Sequence, residues 1–173
     1  MKKIEVNLCS YASIQKAIKE LEEYKAWVIR KSDELAERLA ALGATVASLN
    51  FSRAIYNGIN DVRVSVEPID NGYKIIASGQ AVAFIEFGSG ARYGGGYPNN
   101  ETQVMPEISA PGSWSEDESV GRGHWNSPNG WWLPKDKGGG HSYGNPPAMA
   151  MYFASKEIQD KVKSIAQEVF SGD

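Results

Sequence analysis

The sequence predicts an α+β fold in which a small antiparallel sheet is covered on one face by two helices. Three observations predict it. Apolar residues recur at helical spacing over residues 13–42, an alternating stretch near residue 64 runs into an Asp-Asn-Gly turn, and a second helical pattern lies between residues 146 and 170. The spacing at which apolar residues repeat distinguishes helices from strands, and turn residues such as Asn-Gly between two strands indicate a hairpin. The order of these elements, with helices packed on one side of a sheet, is typical of the α+β class.

The long N-terminal helix rests on a row of apolar residues spaced by seven, namely Ile14, Leu21, Val28, Leu35 and Leu42. The companion row is apolar only at its ends, at Ile18 and Leu39, and a parallel coiled coil needs both rows filled. Two interpretations stay open, an amphipathic helix laid over the sheet or a helix that contacts another subunit. Ser10 or Ser13 is predicted to cap its start. Gly43 is predicted to end it, with a shorter helix following over residues 44–56.

The sheet is predicted from three segments. Residues 2–8 alternate weakly between apolar and polar, and indicate a short strand. Val62, Val64 and Val66 alternate with polar residues and predict a half-buried strand. The turn at residues 70–73 holds Asn71 and Gly72, which tolerate the positive φ of tight hairpin turns, so the chain is predicted to return over residues 73–78.

The rest of the ordered core is predicted from residues 81–87 and from the C-terminal helix. Residues 81–87 are apolar except for Glu86, and so short a run is either a strand or a buried helix. Asn145, followed by two prolines, predicts the start of the C-terminal helix. The apolar stripe of that helix comprises Ile158, Val162, Ile165 and Val169.

Residues 88–145 have an unusual composition, with 13 of the 18 glycines, five of the eight prolines and four of the five tryptophans. Loops of this length are functional, disordered or linkers, and disordered segments are poor in aromatic residues. We therefore predict a single domain with a core of residues 1–87 and 146–173 and an extended arm of residues 88–145. The arm is expected to become ordered against another protein subunit, because large aromatic side chains anchor interfaces.

The predicted subunit interface combines the tryptophans of the arm with the segment that leads into it. Its members are Glu86, Phe87, Gly88, Trp114, Trp125, Trp131 and Trp132. Two interpretations of Glu86 stay open. It points to solvent from one face of a strand, or it is buried and accepts hydrogen bonds from the 88–90 turn or pairs with Arg92, since burying an unpartnered carboxylate is costly. Such a contact would hold the base of the arm in place.

The sequence offers little for catalysis. Both histidines, His124 and His141, lie in the arm without a metal-binding spacing, and neither triple glycine has the strand and helix context of a phosphate loop. We predict no catalytic residue, no metal and no cofactor. The net charge of −3 argues against a dedicated nucleic-acid binder, and no apolar run is long enough to span a membrane.

The run from Ala81 to Gly90 resembles a signature of tailed-bacteriophage minor tail proteins, the lambda Z-type family of head–tail joining or tail-completion proteins. The matching residues are Phe84, Ile85, Glu86, Phe87 and Gly88. Ala81-Val82 stands where the family usually has Tyr-Ala, and Ser89 replaces Thr. The order of long helix, hairpin, Gly/Pro loop and Pro-led helix is also similar, although the aromatic residue usual after the proline is absent at Ala148.

The resemblance implies a non-enzymatic virion protein, assembled in the cytoplasm of the bacterial host. Its copies would form a ring, expected to be hexameric, in the neck between head connector and tail. The partners would be connector or stopper proteins and the tail terminator or tail tube, with DNA passing through the lumen without specific binding. Two alternatives stay open, a tail-terminator ring subunit of the same neck and a carbohydrate- or surface-binding module that uses the tryptophans. A small hydrolase built on Glu86 or His124 is the least favoured interpretation.

Overall fold

The computed structural model describes residues 3–90, 130–133, 135 and 139–171, and it confirms the predicted α+β class. The helices are α1 (Tyr11–Arg53), α2 (Val82–Phe87) and α3 (Ala150–Ser171). The strands are β1 (Arg63–Ile69), β2 (Gly72–Ser78), β3 (Trp131–Trp132) and β4 (His141–Ser142). The long N-terminal helix, the small antiparallel sheet and the C-terminal helix are all present.

Helix α1 is one uninterrupted helix of 43 residues, so the predicted end at Gly43 and the separate helix over residues 44–56 are wrong. Gly43 is buried, and a Cβ atom there would lie 2.5 Å from Ile158 Cδ1 and 2.6 Å from Ile75 Cδ1. The glycine therefore allows α3 and the hairpin to approach the helix closely. Tertiary packing of this kind outweighs the roughly 1 kcal/mol by which glycine disfavours a helix interior.

The start of α1 involves residues that the sequence assigned to a strand. Residues 3–8 form no strand, and their polar groups bond locally. The N–H of Asn7 donates to Ser13 Oγ at 2.9 Å, and the N–H of Ser10 donates to the Asn7 carbonyl at 3.1 Å. Ser10 is the N-cap, as predicted, and its hydroxyl accepts from the N–H of Ser13. The Ser10 hydroxyl thus serves one otherwise unpaired N–H group of the first helical turn. The other two bonds pair N–H groups of the segment that precedes the helix.

The predicted hairpin is confirmed. Strands β1 and β2 pair antiparallel from Arg63 opposite Ser78 to Ile69 opposite Gly72, with the turn between them. Val64 and Ala77 pack against the hydrophobic core, which places one face of the hairpin on the helices. The end of α1 is tied to the hairpin entry because Asn60 Nδ2 donates to the Phe51 carbonyl at 2.8 Å.

Helix α3 runs antiparallel to α1, and the core lies where the two helices and α2 meet. The buried core residues are Ala47, Phe51, Ala81, Ile85, Ala150 and Ala154. Farther along, Arg38 Nη1 lies 3.8 Å from Glu168 Oε2, and the rings of Trp27 and Phe170 meet edge to face at 5.6 Å. Because four of these residues are alanines with small side chains, the helix backbones come close together. Phe51 and Ile85 fill the space that remains between them.

Residues 81–87, which the sequence left open between strand and helix, form α2. The carboxylate of Asp61 accepts from the N–H groups of Gln80 at 2.8 Å and Ala81 at 2.9 Å, which holds the residues directly before this short helix. Burial raises the pKa of the Tyr56 hydroxyl nearby, and the charge of Asp61 raises it further. Asp61 thereby fixes α2 to the chain that enters the hairpin.

Candidate interaction site at the root of the insertion

Glu86 caps the start of α3. Its side chain is only 3% exposed, and its two carboxylate oxygens accept from the N–H groups of Met151 at 3.0 Å and Tyr152 at 3.2 Å. The first turn of a helix has N–H groups without partners and carries partial positive charge, so a carboxylate is stabilising there. Neither donor was foreseen from the sequence. Ser89 N–H, in the turn expected to serve Glu86, donates instead to the Asn145 carbonyl, and Arg92 lies outside the described residues.

Helix α3 begins at Ala150, so the predicted start at Asn145 is wrong. The residues between them run alongside α2. The N–H of Ala148 donates to the Ile85 carbonyl at 2.8 Å, and that of Met149 donates to the Glu86 carbonyl at 3.1 Å. Met149 adopts a φ of 51°, a left-handed conformation in which the chain turns into the helix. Pro146 and Pro147 therefore belong to the segment that leads into α3, and the helix is capped by the Glu86 carboxylate, which is distant in the sequence.

The two ends of the insertion are joined at one point, which we call the root and define as residues 88–90 and 142–147. Ser89 and Asn145 exchange backbone hydrogen bonds of 2.9 and 3.1 Å as an isolated antiparallel bridge. The Asn145 side chain also accepts from the Ser89 hydroxyl and donates to the Phe84 carbonyl at 2.9 Å. Both residues are buried. The chain thus leaves and re-enters the body of the protein at adjacent positions.

Glycine is required at the root because the strands approach closely. Gly144 has a φ of 104°, and a Cβ atom there would overlap the Ser89 carbonyl oxygen. Gly88 has a φ of 76°, and a Cβ atom there would lie 2.8 Å from the Pro147 nitrogen. Side-chain-bearing residues rarely adopt this left-handed region. Gly88 and Gly144 therefore serve the geometry of the root and are not merely spacers.

The root is also tied to the end of α1. Asn57 Nδ2 donates to Ser142 Oγ at 3.1 Å, and the same hydroxyl accepts from the Gly144 N–H at 3.1 Å. Ser142 is 2% exposed. Asn57 lies 85 positions before Ser142 in the chain. Their hydrogen bond therefore fixes β4 relative to the segment that follows α1.

Beyond the root, strands β3 and β4 form a small hairpin that presents aromatic side chains. Trp131 pairs with Ser142 and Trp132 with His141, and the Leu133 N–H donates to the Gly140 carbonyl at 2.8 Å. Trp131 is half-buried, whereas Trp132 and Tyr143 are each 54% exposed. We call the exposed set Trp132, His141 and Tyr143 the aromatic row. Its neighbouring rings meet edge to face, with centroids 5.0 and 4.7 Å apart.

The predicted interface residues therefore fall into separate groups. Glu86 and Gly88 are buried within the protomer, Phe87 is half-buried beside them, and Trp131 and Trp132 lie on the β3–β4 hairpin. Trp114, Trp125 and His124 lie outside the described residues. No local pattern in the sequence indicates a role for Ser89 or Asn57, and Asn145 was predicted to cap a helix because Asn before Pro-Pro is typical of a cap. Their part in joining the two ends of the insertion is seen only in the hydrogen bonds of the folded chain.

In the described ranges, no group of three or more His, Cys, Asp or Glu side chains is placed to hold a metal ion. No helix within those ranges combines the length and the apolar character needed to cross a membrane. Comparisons with protein-family models, with curated proteins and with solved structures give no match for this chain.

Proposed function

We propose that this chain is a structural subunit of a tailed-bacteriophage neck, of the head–tail joining or tail-completion type. The observation that carries the proposal is the position of the Phe84–Gly88 motif. Its glutamate caps α3, and its glycine opens the root at which the insertion leaves and returns. The residues that carry the family resemblance thus lie where the helical body meets the two ends of the tryptophan-rich segment 88–145.

A subunit of this kind suits a ring. Ring contacts are head-to-tail, so each copy offers one surface and receives another. The body offers the helices and the hairpin, and the insertion offers aromatic anchors such as Trp132, which is 54% exposed. Exposed aromatic residues of this size are enriched among the residues that dominate binding energy. The proposed role is assembly, with no catalytic step.

The charge of the chain is compatible with a DNA-conducting lumen. Affinity for the DNA backbone comes mainly from lysine and arginine contacts to phosphates. With 18 basic and 21 acidic residues, the chain has a net charge of −3. A ring of such subunits would let DNA pass without holding it.

Purified particles test the proposal. Mass spectrometry of gradient-purified particles from the phage or prophage that encodes the chain is expected to detect it in fixed stoichiometry, and antibody labelling is expected to place it at the neck. Disrupting the coding sequence is expected to leave filled heads and free tails that fail to join. Fully joined particles that lack the chain would refute the proposal.

The aromatic row favours one alternative, a carbohydrate- or surface-binding module. Trp132 and His141 lie on paired strands and Tyr143 directly follows the second of them, and aromatic faces held by strands stack well on sugar rings. This function predicts glycan binding that is lost with Trp132→Ala and retained with the substitution of half-buried Trp131 by Phe. A glycan screen without any binding would remove it.

A further inference from the structure

Residues 3–8, which we call the leading segment, have the alternating pattern of a strand but form no strand within the protomer. Val6 is 43% exposed and Leu8 is 82% exposed, whereas Ile4 is half-buried. In the part of the chain that the structure describes, no protein group bonds to the N–H or C=O of Ile4 or Val6. A segment with strand patterning and unused backbone groups is suited to pair with a sheet.

The outer edge of β1 offers the matching backbone groups. Only two residues separate Ile69 from Gly72, so these two form a hydrogen-bonded pair, and such pairs alternate along the strand. Val64 and Val66 therefore direct their N–H and C=O groups away from β2, and no other described residue bonds to them. Pro68 fits this alternation, since its missing N–H falls on the outer edge.

The edge of β1 is more open to a partner than the edge of β2. Six of the seven residues of β1 are exposed, whereas five of the seven residues of β2 are half-buried. A strand edge with unpaired N–H and C=O groups is a template on which another strand can add. The sheet that contains β1 has two strands, so one added strand would make it a three-stranded sheet.

The leading segment cannot reach the sheet of its own protomer. Ile75 of β2 packs against Gly43 of α1, and Val66 lies opposite Ile75 in the sheet. At about 1.5 Å per residue, Gly43 lies about 48 Å along α1 from its first residue, Tyr11. Fully extended, residues 3–10 span at most about 28 Å. A β1 edge that pairs with the leading segment therefore belongs to another copy of the chain.

We propose that residues 3–7 of one copy add to the outer edge of β1 in a second copy as an antiparallel third strand. Ile4 lies opposite Val66 and Val6 lies opposite Val64, and each pair exchanges two backbone hydrogen bonds. Val64 packs against the hydrophobic core. Ile4 and Val6 then lie on the face of the sheet that packs on the helices, where they extend its apolar surface.

The charges favour this register over its neighbours. It sets Lys3 opposite Glu67, and neither residue takes part in an ion pair within the described ranges. A shift of two residues one way would set Glu5 directly opposite Glu67, and like charges there are destabilising. A shift of two the other way would need the Val62 N–H, which already donates to the Asn60 side chain at 3.1 Å. A shift of one residue would turn Glu5 toward the helices.

The start of α1 is compatible with the added strand. The N–H of Asn7 donates to Ser13 Oγ at 2.9 Å, and its C=O accepts from the Ser10 N–H at 3.1 Å. In the proposed register, Asn7 directs both groups away from β1 of the neighbour, while Val6 directs its own toward it. The pairing and the helix cap therefore use different backbone groups.

This contact does not depend on the proposed neck function. It joins two different patches, the leading segment and β1, so copies that each give and receive one strand close into a ring or a reciprocal pair. It is measured on the purified chain, whereas the neck function is tested by the composition of particles. Either proposal can therefore fail while the other stands.

Light scattering coupled to size-exclusion chromatography tests the contact on the full chain. Val6→Pro removes an N–H that donates to the neighbour, and it is expected to raise the dissociation constant of the oligomer about tenfold or more. Glu5→Pro is the matched control, because the Glu5 N–H points away from β1, and it is expected to stay within about threefold of wild type. Circular dichroism of both variants is expected to match the wild type. A monomer at every concentration, or an oligomer that Val6→Pro leaves intact, would overturn the proposal.

Disulfide cross-linking in a Cys9→Ser background tests the register. Glu5 lies opposite Ser65 in a pair without hydrogen bonds, where Cα atoms are about 4.5 Å apart and within disulfide range. Mixing the Glu5→Cys chain with the Ser65→Cys chain is expected to give mainly mixed disulfides. The Lys74→Cys chain, with its substitution on the same face of β2, is the control and is expected to give few. Preferential linkage to the Lys74→Cys chain would place the segment on β2 and overturn the proposal.

Discussion

Glu86 holds the start of a 22-residue helix through a single carboxylate. Its oxygens accept from two N–H groups of α3, and its side chain is almost fully buried. Removing such an acceptor leaves buried donors without partners, which costs about 1–3 kcal/mol or more when the acceptor is charged. Glu86, one of the five motif residues behind the proposed function, is therefore also a residue on which the fold depends.

Glu86→Ala is expected to lower the free energy of unfolding by about 2–3 kcal/mol. Glu86→Gln is expected to cost about 1 kcal/mol, because its amide oxygen still accepts one hydrogen bond but lacks the charge that favours a helix start. Asp160→Asn, at an exposed position of α3, is the control and is expected to stay within about 0.5 kcal/mol of wild type. Urea unfolding measures all three. Equal costs for Glu86→Ala and Asp160→Asn would contradict the capping role.

The helices and strands that follow from local sequence patterns were predicted correctly, whereas helix ends that depend on distant residues were not. The hairpin and the two main helices were predictable, since alternation at Val64, the Asn71-Gly72 turn and the stripe around Ile158 are local patterns. The continuity of α1 through Gly43 was not, because a glycine that ends a helix and a glycine that admits a neighbouring side chain look alike in the sequence. The start of α3 was misplaced for a related reason, since its cap is a residue 65 positions earlier.

The close packing of Ile75 and Ile158 against Gly43, where α1 meets α3, can be tested by substitution. Gly43→Ala gains about 1 kcal/mol of helix propensity, but its Cβ atom forces both isoleucine ends to move, and overpacking of this kind costs about 1–3 kcal/mol. The substitution is expected to destabilise the wild type. In an Ile75→Val, Ile158→Val background, which removes both Cδ1 atoms, it is expected to become stabilising. Thermal or urea unfolding of the four combinations measures the coupling, and an equal effect in both backgrounds would argue against close approach as the reason for the glycine.

We also predict that the local stability of the root depends on the side chain of Asn145. Asn145→Ala removes the side-chain bonds to Ser89 and Phe84. Hydrogen exchange at the amides of Ser89 and Asn145 is expected to accelerate about tenfold or more, since a buried hydrogen bond contributes about 1–1.5 kcal/mol. The amides of the β1–β2 hairpin are the internal reference and should keep their wild-type rates. Unchanged exchange at Ser89, or equal acceleration in the hairpin, would show that the root is not held by this side chain.

At the scale of the whole molecule, a helical body presents two exposed apolar surfaces. One is on the N-terminal part of α1, where Ile18, Leu21 and Tyr24 are about half exposed, and the other is the aromatic row on the β3–β4 hairpin. The first follows from the length of α1 relative to α3, and the second from the fixed entry and exit of the insertion. Under the proposed function, each of these surfaces would meet a different neighbour in the assembly.

Cryo-electron microscopy of the purified chain, alone and mixed with head-connector proteins of the phage or prophage proposed to encode it, is the sharpest experiment on the proposed assembly role. Closed rings are expected in which the tryptophan-rich insertion of each copy lies against the next, and Trp132→Ala is expected to reduce their number while the body stays folded. Isolated protomers under every assembly condition, with no contact between one copy's insertion and its neighbour, would contradict it.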